Sequence, residues 1–516
     1  MTTIFDPERA DLRVGVIGAG AMGRGIAQVA ATAGIEMWLA DTRDGAVDEA
    51  LAFIARMLDR AVEKGRMEAS AAAAAKGRLR IVDAGDPAPF ATCHAVVEAI
   101  VEDLDAKRRL FAEIEDRVAG DCVLATNTSS LSVTAIAAAC RRPERVAGFH
   151  FFNPVPLMKL VEVVAGERTE AAATAALMGL ARRLGHHPVA VADMPGFLVN
   201  HAGRGFVTEA LAILGEGVAG VADIDRVLRE AAGFRMGPFE LLDLTGLDVS
   251  RRVMDSIWAG FQHEPRFRPS PIVARRVAAG LFGRKSGRGF YDYADGRPLI
   301  PAEAAAPDAA PLPVWVAPAR DEIEADGRAA LVAALRAAGA DPRAGARPPA
   351  DGVLFVAPLG EDATTAALAR GLEARRTVAV DSLFGLDGRR SLMTTPATEP
   401  VARDAAHALL ARGGAPVTVL RDSPGFIAQR VVAMIVNIGC EIAQRRIAAA
   451  EDIDRAVALG LGYPKGPLAW GDALGPRRVL AILEALHRAS GDPRYRPSPW
   501  LKRRALLGIS LATPET

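Results

Sequence analysis

Residues 13–41 constrain the fold more than any other stretch of this chain. Arg13 to Ile17 (RVGVI) is a short, β-branched apolar run, as a parallel strand buried on both faces requires. It leads directly into Gly18-Ala19-Gly20-Ala21-Met22-Gly23 and a helical stretch, Arg24 to Ala33, stopped by Gly34. A second strand, Ile35 to Ala40, ends on Asp41, 23 residues past Gly18. A lone G-x-G-x-x-G is weak evidence, and a structural glycine turn would also fit it. With both strands, the helix and the acid in register, it specifies a dinucleotide site. Gly18 permits the tight turn, Gly20 lets the backbone approach a pyrophosphate, and Gly23 lets helix and strand pack closely. The helix N-terminus offers unpaired N–H groups to the phosphates. Gly18, Gly20, Ala21, Met22 and Gly23 are the expected cofactor contacts of this turn. Asp41 can accept hydrogen bonds from a ribose and repel a 2′-phosphate, which favours NAD over NADP. Arg43 either softens that preference or is a plain surface arginine.

The 516 residues correspond to three or four domains of ordinary size. Lys+Arg and Asp+Glu are both 62, so no basic excess draws the chain to nucleic acid or an anionic membrane. Four cysteines without C-x-x-C spacing read as buried thiols, and no metal site is expected. The N-terminus has no apolar signal core and no run of 18 apolar residues follows. Cytoplasmic residence is the expectation.

The first domain continues as alternating elements. Leu51 to Lys64 and Ala69 to Ala75 read as helices, and Ala95 to Val101 as a strand ending in Glu102, with Glu98 as punctuation. Lys107 to Arg117 is helical. Val123 to Ala125 is a strand entering TNTSS, Val146 to Phe149 leads to His150, and Leu160 to Val164, with Glu162 at its centre, is expected to be the last strand. His150 and Glu162 flank a strand–loop–strand segment, so they can meet at the carboxyl end of the sheet. A histidine and carboxylate pair suits oxidation of a secondary alcohol, which needs a proton acceptor beside the hydride acceptor. Read alone, Ser129 is a helix cap, Asn200 a polar contact at a helix start, and Lys64 an exposed lysine.

The segments GAGAMGRGIA, AIVEDLDAKRRLF, TNTSSLSV, GFHFFNPVPLMKLVEVV and DMPGFLVN resemble the L-3-hydroxyacyl-CoA dehydrogenases in order and spacing, over about residues 13–295. The whole-chain layout resembles the longer bacterial members of phenylacetate and related acid catabolism, which carry a degenerate second copy. The fold this implies is α/β: a Rossmann-type dinucleotide-binding domain followed by an all-α, 6-phosphogluconate-dehydrogenase-like domain, the pair duplicated in degenerate form. The resemblance implies NAD as cofactor and an acyl-CoA thioester as partner, and it admits a homodimer. It implies that His150 is the general base and that Glu162 orients it. Ser129 and Asn200 would hydrogen-bond the substrate. Asp41, Glu102, Lys107, Ser129 and Asn153 would join the glycines at NAD. Lys64 and Lys107 are candidates for the coenzyme A end, and Lys285 for the cofactor or substrate rim. One departure is His201, where the family has arginine.

Downstream, Gly203 to Gly217 and Val221 to Ala232, the latter capped by Asp223, and Val249 to Phe261 read as an all-helical unit. The chain then repeats: Asp193, Pro195, Gly196 and Phe197 match Asp422, Pro424, Gly425 and Phe426 at an offset of 229, and Asp223-Ile224-Asp225-Arg226 matches Asp452-Ile453-Asp454-Arg455. The expected domains are 1–192, 193–296, a linker at 297–313, 314–421 and 422–516. The second α/β domain has no G-x-G-x-x-G. Leu392 to Pro396 is read as the counterpart of His150 to Pro154, and Gln429 as that of Asn200. One active site per chain is expected. The expected activity is NAD-dependent oxidation of (S)-3-hydroxyacyl-CoA to 3-oxoacyl-CoA, in fatty acid or phenylacetate-type catabolism. The alternatives are a dehydrogenase of a free 3-hydroxy acid or sugar acid, and a non-catalytic NAD-binding structural protein.

Overall fold

A computed structural model describes residues 4–83, 88–345 and 347–515. The chain forms two compact units. One comprises Met1–His201 with Arg445–Leu461, the other Ala202–Gln444 with Gly462–Thr516.

The first unit is built on β1 (Arg13–Ile17), β2 (Glu36–Ala40), β3 (Leu79–Ile81), β4 (Ala95–Glu98), β5 (Val123–Thr126), β6 (Val146–Phe151), β7 (Leu160–Ala165) and β8 (His187–Ala192). Their spatial order is β3-β2-β1-β4-β5-β6-β7-β8. Neighbours from β3 to β6 are parallel, β6 and β7 are antiparallel, and β7 and β8 are parallel. The first six follow the doubly wound dinucleotide order, with its switch point between β1 and β4. Two apolar clusters cover the faces of the sheet, one around Val14, Ile26, Leu39 and Phe149, the other around Phe90, Phe111, Leu124 and Ile136. Burial on both faces is why these strands read as unbroken apolar runs.

Several elements differ from the sequence reading. Leu160–Ala165 is not the last strand. His187–Ala192 follows it at the edge, where Pro188 can be tolerated because an edge strand needs fewer ladder donors. β3 was also missed, being only three residues long with Arg80 at its centre. β4 ends at Glu98, whose Oε1 accepts the Ile100 N–H at 2.7 Å and turns the chain out of the sheet. The first helix starts at Ala21 rather than Arg24. A methyl at Gly23 would collide with the Gly18 carbonyl, so that glycine lets the helix begin against the turn. Asp223 is not an N-cap. Gly220 holds that place, and Asp223 lies in the first turn, 3.0 Å from Arg226.

The second unit contains helices from both repeats and a sheet in the order β11-β12-β13-β14-β15: β11 (Val314–Val316), β12 (Val353–Val356), β13 (Thr377–Val380), β14 (Arg390–Thr394) and β15 (Val417–Leu420). A short hairpin, β9 (Tyr293–Ala294) with β10 (Arg297–Pro298), precedes it. Helices Arg204–Gly215 and Ala428–Gln444 meet here, and Arg430 joins them by ion pairs to Glu209 and Glu216 and a hydrogen bond from its guanidinium to the Tyr495 hydroxyl. Glu209 and Arg430 are both buried. Removing one partner of such a pair costs about 3–5 kcal/mol.

The registers correct the pairing of the two copies. β13 and β14 are antiparallel and β14 and β15 parallel, so β14 corresponds to β7 and β13 to β6. Glu162 lies opposite Val189, whose counterpart Thr418 lies opposite Ser391. The Asp381 N–H donates to the Ser391 carbonyl one step along the ladder. Ser391 therefore replaces Glu162 and Asp381 replaces His150, whereas Leu392 to Pro396 belongs to the other strand. The reading by sequence order failed because the intervening loops differ in length. The same carboxylate device recurs in both copies. Asp193 accepts from the N–H groups of Val133 and Thr134, and Asp422 from those of Ala363 and Thr364.

Among the described residues, no helix is long and apolar enough to cross a membrane. All four cysteines are buried, and burial pushes the thiols of Cys93 and Cys140 up to about 12.

Candidate active site

His150 and Glu162 face each other across the antiparallel β6–β7 pair, in direct register. His150 therefore lies inside its strand rather than just past it. The imidazole Nδ1 is 2.6 Å from Glu162 Oε2. Glu162 is fully buried, and its Oε1 accepts the N–H groups of Leu198 and Val199 at 2.9 and 2.8 Å. Those two N–H groups converge because the turn before them bends sharply, with Gly196 at φ 75° and Phe197 at φ 50°. The carboxylate can only accept, so Nδ1 carries the proton and Nε2 is left as the basic nitrogen. Phe152 and Phe197 pack on the imidazole at 4.5 and 5.8 Å between ring centroids.

Ser129 and Asn200 are adjacent, with Asn200 Nδ2 donating to the Ser129 carbonyl at 3.4 Å. Glu102 orders the loop that carries Ser129. Its Oε1 accepts from Thr128 Oγ1, from the N–H groups of Ser129 and Ser130 and from Ser130 Oγ, at 2.7–3.1 Å. Burial raises the pKa of Glu102, but Lys107 and these donors outweigh it and hold the group below the usual carboxylate range.

Lys107 is 1% exposed, and its ammonium lies 2.5 Å from Glu98 and 3.4 Å from Glu102. A lysine buried between two carboxylates cannot reach out to coenzyme A, which corrects that part of its expected role. It braces Glu102 from behind. Glu98 is more than punctuation: it is buried and also accepts from Thr126 Oγ1 at 2.7 Å. Its signal was a carboxylate within the apolar run AVVEAIV, where an unpartnered charge would be costly. Asn127 was missed as well. Its Oδ1 accepts the Phe151 N–H at 2.9 Å, tying the end of β5 to the strand of His150.

The other expected residues are dispersed. Asn153 is exposed on the turn after β6. Lys64 is exposed at the C-cap of helix Ala46–Glu63 and takes no part in the described hydrogen bonds around His150. Lys285 lies in the second unit, 2.5 Å from Asp248. His201 is buried in the short helix Val199–Ala202, its N–H donating to the Gly196 carbonyl.

The residues of the glycine turn fit NAD. Helix Ala21–Thr32 has Gly20 as N-cap without a side-chain hydrogen bond, and a methyl at Gly20 would meet open space. Asp41 closes the end of β2, its two oxygens accepting the N–H groups of Ala19 and Arg43 at 2.7 and 2.8 Å. Beside it opens a cavity of about 490 Å³ whose lining mixes the apolar Ile17, Ala40, Phe90, Leu110 and Ile114 with the charged Asp41, Asp83, Glu113, Asp116 and Arg117. The Arg43 guanidinium pairs with Glu49 at 2.7 Å, both side chains being largely exposed. Replacing Asp41 by Ala is expected to raise the KM for NAD about tenfold, the loss of one charge-assisted contact, with kcat little changed. Steady-state rates over a range of NAD concentrations check this.

Comparison with known proteins places these features in context. The NAD binding domain of 3-hydroxyacyl-CoA dehydrogenase matches residues 13–194, and the C-terminal domain of the same enzymes matches twice, at 196–293 and 425–510. The chain is 39% identical over 499 residues to 3-hydroxyadipyl-CoA dehydrogenase of Escherichia coli K12, covering 96% of this chain and 97% of that protein. It is 38% identical over 283 residues to 3-hydroxybutyryl-CoA dehydrogenase of Clostridioides difficile, covering 55% of this chain and 99% of the relative. A crystal structure of 3-hydroxybutyryl-CoA dehydrogenase from Escherichia coli K12 superposes with a TM-score of 0.82 at 37% identity, over 96% of this chain and 98% of the other.

Proposed function

The chain belongs to the 3-hydroxyacyl-CoA dehydrogenase family, and from that membership we propose that it oxidises (S)-3-hydroxyacyl-CoA thioesters to 3-oxoacyl-CoA with His150 as the base. It is an NAD-dependent enzyme of acyl-CoA catabolism. The observation that carries the assignment of the base is the 2.6 Å contact between His150 Nδ1 and Glu162 at the carboxyl end of β6.

NAD, when bound, supplies the hydride acceptor. Gly18, Gly20, Ala21 and Met22 would hold its pyrophosphate, Gly23 lets the helix begin against that turn, and Asp41 would hold its ribose. His150 Nε2 takes the proton of the substrate 3-hydroxyl. The proton on Nδ1 stays hydrogen-bonded to Glu162, whose charge stabilises the imidazolium that forms. Ser129 and Asn200 hydrogen-bond the substrate beside the reacting carbon. Glu102 holds the Ser129 loop in place, with Lys107 and Glu98 behind it. Hydrogen bonds hold these groups before substrate arrives, those at Glu162 and between Lys107 and Glu98 being buried, which is the source of their catalytic leverage. Asp381 and Gln429 occupy the matching places in the second copy, with Gln429 Nε2 donating to Asp381 at 2.9 Å. Among the described residues no base and carboxylate pair of this kind stands there, which supports one active site per chain.

The relatives' names point to butyryl and adipyl thioesters, and the same polar head contacts serve both. The adipyl name, on a relative aligned over nearly the whole chain, favours a dicarboxylic acyl thioester as the substrate. NADH formation should be measured with 3-hydroxybutyryl-CoA, 3-hydroxyadipyl-CoA and the two free hydroxy acids. The thioesters are expected to react with kcat/KM at least about a hundredfold higher, because remote binding energy is used to position the reacting carbon. Equal rates with the free acids would shift the assignment to a dehydrogenase of free 3-hydroxy acids.

A further inference from the structure

The degenerate C-terminal repeat contributes Arg445–Leu461 to the unit that holds His150. This arm is anchored on the edge strand β8. The Ala192 N–H donates to the Ile447 carbonyl at 2.9 Å, Asp452 accepts the Ala190 N–H, and Arg455 lies 3.2 Å from His187 Nε2. The arm continues as helix Ala450–Leu461, and near its end Gly460 presses on two residues. A methyl on Gly460 would stand 3.0 Å from Leu160 Cδ2 and 3.0 Å from Val199 Cγ1.

Both contacts lead to the same carboxylate. Leu160 begins β7, two residues before Glu162. The Val199 N–H is one of the two donors that hold Glu162 Oε1. Gly460 is therefore the point where the arm touches both the strand that carries Glu162 and the turn that clamps it. Glu162 in turn is the charged group within hydrogen-bond reach of His150. The second unit has a reciprocal arrangement: the Arg421 N–H donates to the Val218 carbonyl, at the same offset of 229 from Ala192 and Ile447. Arg389 meets Glu230, at the end of helix Val221–Glu230. Each helical repeat thus lends an arm to the sheet of the other repeat.

We propose that the C-terminal repeat is a working part of the active site, and that Gly460 is a positioning residue that acts through Val199 and Leu160 on the Glu162–His150 pair. This rests on His150 being the base. A side chain at position 460 pushes Val199 and Leu160 away, and displacing β7 draws Glu162 back from His150 Nδ1, which leaves the imidazolium less stabilised.

The test uses the full chain with Gly460→Val and the milder Gly460→Ala. The control is Gly471→Ala, where a methyl collides with Leu511 and Val436 within the second unit. Gly460→Val is expected to lower kcat about tenfold to a hundredfold, as a small misplacement of catalytic groups does. It is also expected to move the acid limb of the kcat/KM pH profile to lower pH. Gly460→Ala shows the same two changes in smaller measure and is the variant to read if Gly460→Val does not fold. Gly471→Ala lowers Tm but keeps the wild-type kcat and pH profile. The proposal is overturned if the folded Gly460 variants match wild type in kcat and pH profile, or if Gly471→Ala shifts the pH profile as they do. His150→Ala in the same assay separates the two levels of the argument. If it stays fully active, the base assignment falls. If it is inactive while Gly460→Val behaves as wild type, only the role of the arm falls.

Discussion

Replacing His150 by glutamine is expected to lower kcat by about 10²- to 10⁴-fold, the usual contribution of a positioned general base. The KM for NAD should stay near its wild-type value, because the glycine turn and Asp41 lie on β1 and β2, apart from the β6–β7 pair. Glutamine can occupy the space and donate a hydrogen bond to Glu162, so packing against Phe152 and Phe197 survives and the fold is retained. What is lost is a nitrogen able to take the hydroxyl proton. A stopped-flow trace of NADH formation checks this, and a thermal melt of the same preparation confirms that the variant is folded.

Glu162→Gln is expected to cost almost as much, for a different reason. The carboxylate accepts three hydrogen bonds, from His150 Nδ1 and from the N–H groups of Leu198 and Val199. Glutamine has one oxygen and one NH₂ group. If the oxygen stays with the two backbone donors, the NH₂ faces Nδ1 and can only donate to it. The imidazole must then carry its proton on Nε2, the wrong nitrogen for a base. If the side chain flips instead, two buried N–H groups lose their acceptor, at about 1–3 kcal/mol each. Either outcome lowers kcat by about 10²-fold or more. The first leaves Tm nearly unchanged and the second lowers it, so a melt alongside the rates shows which has occurred.

These two residues were legible in the sequence because each stands in a short, specific context, the His-x-x-Asn-Pro segment and a glutamate inside an apolar strand. Their meeting was legible only in outline. The spacing of 12 residues suggested a strand–loop–strand, but only the register shows that the two side chains are cross-strand neighbours. The glycine turn was readable residue by residue because backbone sterics leave few alternatives there. Glu98 and Asn127 were passed over because their partners lie 9 and 24 residues away, across strand ends whose position was misjudged. Lys107 was placed at the coenzyme A end by the family resemblance alone. The two carboxylates that bury it, Glu98 and Glu102, stand just before it in sequence, but only the turn from β4 into the helix brings them against its ammonium. The duplicated helical unit was visible in the repeat, since its glycines, prolines and aspartates occupy turns and caps that fix the spacing. The second sheet kept its topology and lost its sequence, so pairing it by order put Leu392 where Asp381 belongs. The exchange of arms leaves no local pattern at all, because Gly460 meets Val199 across 261 residues of chain.

The account depends on one imidazole accepting a proton while its partner carboxylate holds the other ring nitrogen. The most direct measurement is kcat/KM for 3-hydroxybutyryl-CoA across pH, in wild type, His150→Gln and Glu162→Gln. The account predicts that wild type loses activity as pH falls, and that this acid limb is absent from the residual activity of His150→Gln. A His150→Gln enzyme that keeps both the wild-type rate and the acid limb would contradict it.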